Sequence, residues 1–91
     1  MTTIKRIVLD VLKPHRPDSL EFSTVVAGRS PGCRLVLTVT AVDEQTESVI
    51  LVIEGADLQY DAITAAISDL GGSVHSIDVV EVESAASEDR Q

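Results

Sequence analysis

Aromatic residues are almost missing from this chain of 91 residues: there is no tryptophan, and Phe22 and Tyr60 are the only phenylalanine and tyrosine. Proteins that grip single-stranded nucleic acid usually stack its bases on aromatic rings, so that class of function is disfavoured. Basic residues are scarce as well. Seven Lys and Arg against fifteen Asp and Glu leave a formal net charge of −8, which repels phosphate backbones and anionic lipid headgroups and suits cations or basic partners. Such a balance fits a salt-rich cytoplasm and an ordinary acidic domain equally well. Cys33 is the one cysteine, so no internal disulfide and no cysteine metal cluster can form; it reads as a small hydrophobe at a strand start. No apolar run approaches the roughly 20 residues of a membrane span, and residues 1–6 lack the pattern of a secretory signal. The expectation is a cytoplasmic protein with neither membrane nor nucleic acid as partner.

What is abundant is aliphatic. Hydrophobic residues make up 44 % of the chain, enough for one core built from Val, Ile, Leu and Ala. A domain this small buries only about 60–65 % of its unfolded surface, so association between subunits would add needed stability. Ile4–Lys13 is rich in β-branched residues and predicts a strand, ended by Pro14, which cannot donate to a ladder. Asp18 or Ser19 can cap a helix over Ser19–Ala27, with Leu20, Phe22 and Val25 on its buried side. Gly28–Gly32 is a loop. Arg34–Val42 and Ser48–Glu54 predict two strands of a hairpin. Asp57 is placed to cap a helix over Leu58–Leu70, in which Leu58, Ile63, Ala66, Ile67 and Leu70 form one apolar stripe; Gly71 and Gly72 end it. Ser73–Glu83 predicts the fourth strand. The arrangement is then a single domain over residues 1–83 followed by an acidic tail over residues 84–91. The order β-α-β-β-α-β, with right-handed crossovers, implies a ferredoxin-like α+β sandwich: an antiparallel sheet in the order 4-1-3-2 with both helices on one face.

Strict alternation assigns the two faces of that sheet. Ile7, Leu9, Val11, Leu35, Leu37, Val39, Val49, Leu51, Ile53, Ile77 and Val79 would lie under the helices. The open face would carry Val8, Leu12, Val36, Val42, Ile50, Val52, Val80 and Val82 among polar Arg6, Asp10, Thr38, Thr40, Glu54, Ser76 and Asp78. A face left to water should be polar at alternate positions, whereas this one is half aliphatic. It reads as an interface in a homo-oligomer centred on Val8, Leu12, Val36, Ile50, Val52 and Val80; the competing explanation is strand propensity alone.

The chemistry-bearing residues are few. If Ile4 pairs near Val82, then Val8 faces Asp78 and Asp10 faces Ser76, which brings the carboxylates of Asp10 and Asp78 within reach of one cation. Like charges on an apolar sheet need a metal, a proton or an arginine, and a hard divalent cation, calcium or magnesium, matches oxygen ligands. Glu54 should meet Arg6 as an ion pair. His15 and His75 fall near one end of the sheet and could ligate zinc or nickel, yet no third ligand stands at a defined spacing. No nucleophile elbow, P-loop, HExxH or GxGxxG is present.

Several blocks carry a family resemblance. Val8-Leu9-Asp10-Val11-Leu12-Lys13-Pro14-His15, Thr46-Glu47-x-Val49, Ile53-Glu54-Gly55 and Leu70-Gly71-Gly72-x-Val74-His75-Ser76-Ile77-Asp78 together resemble the archaeal domain of unknown function family 211, with matching spacing over roughly residues 4–82. The sequence departs from the family pattern at residues 28–34 and after Asp78. The resemblance implies a ferredoxin-like fold and symmetric oligomers, and no established activity. Three readings are open. The first is an oligomeric module that binds a divalent cation through Asp10 and Asp78, with Glu54, Ser76, His15 and His75 as further candidate ligands. The second, by fold analogy, is a sensor holding a metabolite between subunits. The third, supported by no catalytic motif, is an enzyme with His75 or His15 as base beside Asp10 or Asp78.

Overall fold

A computed structural model of the chain describes residues 1–86. Six elements come in the expected order: β1 (Thr2–Pro14), α1 (Ser19–Gly28), β2 (Arg34–Val42), β3 (Thr46–Glu54), α2 (Tyr60–Asp69) and β4 (Ser73–Ser84). The strands form one antiparallel sheet in the order β2-β3-β1-β4, and the two helices complete the ferredoxin-like sandwich. Among the described residues no helix is long and apolar enough to cross a membrane.

The core arises from period-two alternation on the central strands. Ile7, Leu9 and Val11 of β1 and Val49, Leu51 and Ile53 of β3 are buried, packed against Phe22 and Val26 of α1 and against Leu58, Ile63, Ala66 and Ile67. Of the stripe expected of α2, Leu58, just before the helix, and Ile63, Ala66 and Ile67 are buried, while Leu70 is half-buried. That of α1 is narrower, because Phe22 and Val26 stand one turn apart and alone face the sheet. Leu20, two residues before Phe22 and so on the far side of the helix, is 78 % exposed.

Caps explain where the helices begin and end. The Asp18 carboxylate accepts the backbone N–H of Glu21 at 2.8 Å, satisfying one free donor of the first turn. The second helix starts two residues later than expected and does not use Asp57. Its N-cap is Gln59, with no side-chain cap of its own, and the buried Ser30 hydroxyl, from the loop after α1, accepts the Gln59 N–H at 3.0 Å. Gly71 has φ of +85°, the left-handed conformation that closes α2, and Gly72 donates to the Ile67 carbonyl at 2.9 Å. The fourth strand extends to Ser84, opposite Thr2, one residue into the expected tail; residues 87–91 of that tail lie outside the described residues.

Candidate functional site

Register turns the open face into an ordered surface. Residues directly opposite one another share a face, so the pairings define rows across all four strands. The first row is charged and alternates in sign: Arg34 on β2, Glu54 on β3, Arg6 on β1 and Glu81 on β4. Within it Arg6 Nε stands 3.4 Å from Glu54 Oε2, the expected ion pair. The next row is entirely valine: Val36, Val52, Val8 and Val79. Then come Thr38, Ile50, Asp10 and Ser76, and finally Ala41, Ser48, Leu12 and Ser73.

Four places break strict alternation. The register shifts between Ile4 and Arg6, between Val8 and Leu9, between Asp10 and Val11, and between Val39 and Ala41. Lys5, Asp78, His75 and Thr40 are the residues left without a register partner there. Each extra residue reverses the facing of the residues beyond it on its strand. Val80 therefore lies opposite Ile7 and Val82 opposite Ile4, in the columns that face the helices, and Val42 lies opposite Glu47, which reaches the buried Lys13. Val79, opposite Val8, takes the place on the open face that alternation assigned to Val80. Val80 is nonetheless 56 % exposed.

The same bulges gather polar groups. Asp10 lies opposite Ser76, as expected, whereas Val8 faces Val79 and Asp78 is the extra residue beside it. The Ser76 hydroxyl donates to Asp78 Oδ1 at 2.8 Å. Asp10, Leu12, Ser48 and His75 line an open cleft of about 370 Å³. Among the described residues no hydrogen bond joins His75 to either aspartate, and no three His, Cys, Asp or Glu side chains converge as a metal cluster. Asp10 borders the cleft, and Ser76, opposite it, holds Asp78.

His15 lies just past the end of β1, at the end of the sheet where β4 begins beside Leu12 and His75, as expected, but it belongs to a separate network. The Lys13 side chain is fully buried, with Nζ 5.7 Å from the centre of the Phe22 ring. It donates to the Pro14 carbonyl at 2.9 Å and to Glu47 Oε1 at 3.2 Å. Glu47 Oε2 takes His15 Nδ1 at 3.0 Å, while His15 Nε2 faces the Asp43 and Glu44 carbonyls of the β2–β3 turn at 2.9 and 3.0 Å. Both ring nitrogens thus face acceptors. Neutral imidazole has one N–H, imidazolium two, so the site favours the charged ring. The Glu47 hydrogen bond, then the Glu44 carbonyl, raises the His15 pKa above its ordinary 6.5. Reciprocally, the His15 hydrogen bond, then that of Lys13, lowers Glu47 below 4.5.

Those two directions set the pH dependence. A raised His15 pKa gives stability that is complete below 6.5 and lost as pH climbs through the folded-state value; a lowered Glu47 pKa gives stability present above 4.5 and lost on acidification. The clamp is strongest between these limits. His15→Ala is expected to lower the melting temperature most between about pH 5 and 6, and the gap from wild type should narrow toward pH 9. A gap independent of pH would show that the ring acts only by packing.

The comparisons with known proteins give a family and name no activity. The family described as DUF211, uncharacterised ArCR, matches residues 5–91. An uncharacterised protein of Methanocaldococcus jannaschii is 42 % identical over 80 residues, covering 88 % of this chain and 82 % of the relative. The chain belongs to the DUF211 family.

Of the residues singled out in this DUF211 chain, Asp10 lies opposite Ser76, Ser76 is hydrogen-bonded to Asp78, and His75 joins Asp10 at the cleft. Glu54 is held by Arg6. His15, near the same end of the sheet as His75, is committed to Glu47 and the carbonyls of the β2–β3 turn. Sequence reasoning missed Lys13 and Glu47, since a lysine in a strand ordinarily reads as exposed. It also missed Arg34 and Glu81. Once Arg6 is set opposite Glu54, the hairpin and the β1–β4 pairing put these two at the ends of the same row.

Proposed function

We propose that this DUF211 protein is a self-associating module whose open sheet face is covered by another copy of the chain. The observation that carries the reading is the unbroken valine row Val36, Val52, Val8 and Val79, running across all four strands on the face without helices. An apolar band that crosses a whole sheet favours burial over hydration. Light scattering on the wild-type protein should give a multiple of the subunit mass; one subunit mass at every concentration would overturn the reading.

A divalent cation belongs to the same proposal. Asp10, Asp78 and the Ser76 oxygen are hard donors suited to calcium or magnesium, and their place beside the valine row leaves further ligands to water or to the second copy. A cation bound only by the folded form stabilises it by about 2.7 kcal/mol at a hundredfold excess over Kd. Calcium should therefore raise the melting temperature more than sodium at equal ionic strength, and Asp10→Asn with Asp78→Asn should abolish the difference. If the double variant gains as much as wild type, calcium acts only by screening the acidic surface. The cleft of Asp10, Leu12, Ser48 and His75 gives the metabolite-sensor reading its one physical support.

A further inference from the structure

We infer that two copies of this chain pair through their open faces about a twofold axis parallel to the strands, matched by the alternating charges of Arg34, Glu54, Arg6 and Glu81. The inference rests on the open-face reading above and adds the orientation. A twofold axis lying between two facing sheets and running along the strands keeps each row at its own height and reverses its left-to-right order. The row plus-minus-plus-minus then meets minus-plus-minus-plus. Arg34 faces the second copy's Glu81, and Glu54 faces its Arg6, each contact occurring twice. The valine row falls on the valine row. A twofold axis across the strands would instead lay the charged row over a different row, such as the one holding Thr38 and Ile50, or, if it ran along the charged row, set each of its charges against the same charge.

The charges within one chain support this. Arg6 and Glu54 pair with each other. Among the described residues Arg34 and Glu81, at the two ends of the row, have no ion-pair partner within 4 Å. The second copy supplies the missing partner to both at once. Facing sheets cross at about 30° and lie about 10 Å apart. Four strands spaced by about 4.8 Å put the row ends about 7 Å from the axis, so such a crossing moves them by about 4 Å, a distance that Arg and Glu side chains span. The row of Asp10 fits less well, because Asp10 would lie over the second copy's Ile50; the charged and valine rows must outweigh that contact.

Single charge reversals at the row ends test the orientation. Arg34→Glu alone sets a new carboxylate against Glu81 twice, and Glu81→Arg alone sets a new guanidinium against Arg34 twice. Each is expected to weaken self-association about tenfold or more in sedimentation velocity, with the melting curve of the domain little changed because both sites are exposed. Mixed in equal amounts, the two variants should recover wild-type affinity as a heterodimer, since both end contacts are then opposite in sign, and high salt should weaken the recovery. Arg34→Glu mixed with Glu54→Arg should not recover. The inference is overturned if the single variants associate as wild type does, or if the first mixture gains nothing. An assembly that ignores both substitutions yet breaks on Val52→Lys would leave the open-face reading standing without this orientation; a monomeric wild type would end both.

Discussion

Phe22→Ala is expected to come close to unfolding this domain. Phe22, on α1, is the one fully buried aromatic ring. Truncating a buried phenylalanine costs about 3–5 kcal/mol in lost transfer energy and residual cavity, against a total of about 5–15 kcal/mol for a typical domain. The effect is compounded here by two local features. The helix contains Ser23, Thr24 and Val25, all modest helix formers, so its docking depends on Phe22 and Val26. The ring also lies beside the ammonium of Lys13, which would lose part of its packing. For a domain of this size the melting temperature should fall by at least about 12 °C. Leu20→Ala, two residues away on the solvent side, should stay within about 0.5 kcal/mol of wild type. Similar effects of the two substitutions would mean that α1 is not seated on the sheet as described.

Val52→Lys is expected to dissociate the assembly without unfolding the subunit. Val52 lies between Val36 and Val8 in the middle of the valine row. In a free subunit this face meets water, so a lysine can lay its stem along the neighbouring valines and keep its ammonium hydrated. In a face-to-face assembly the same ammonium would be enclosed with no carboxylate in its row, at a cost of several kcal/mol. Circular dichroism should therefore be retained while the mass by light scattering drops to one subunit. Val80→Lys is the matched comparison. Alternation alone assigns Val80 to the open face, whereas its register opposite Ile7 places it on the helix side, so it should leave the mass unchanged. The reverse outcome, with Val80→Lys dissociating the protein and Val52→Lys not, would move the interface to the other face of β4.

The contrast between those two valines marks how far the sequence could be read. Element order, sheet order and the core columns of β1 and β3 were legible, because long runs of alternating aliphatic residues and the stops at Pro14 and Gly71 leave few arrangements open. The pairing of Arg6 with Glu54 and of Asp10 with Ser76 was legible for the same reason. The bulges were not. Lys5, Thr40, His75 and Asp78 carry no composition signal that marks an unpaired strand residue, yet each reverses the facing of its neighbours, which moved Val42, Val80 and Val82 to the helix side. The burial of Lys13 was hidden as well. It occupies a core column of β1 by alternation, but the ion pair with Glu47 and the contact with Phe22 that make burial tolerable appear only when β1, β3 and α1 are assembled. The start of α2 shows the same dependence: its neighbouring donor is satisfied by Ser30, 29 residues earlier in the chain, where local capping rules looked to Asp57.

The claim that the open face is buried by a second copy is tested most directly by monitoring backbone amide chemical shifts as the wild-type protein is diluted. The predicted changes concentrate on Val36, Val52, Val8 and Val79 and on the flanking Arg34, Glu54, Arg6 and Glu81, while amides of α1 and α2 hold still. Shifts independent of concentration in a protein of one subunit mass, or changes confined to the helices, would contradict it.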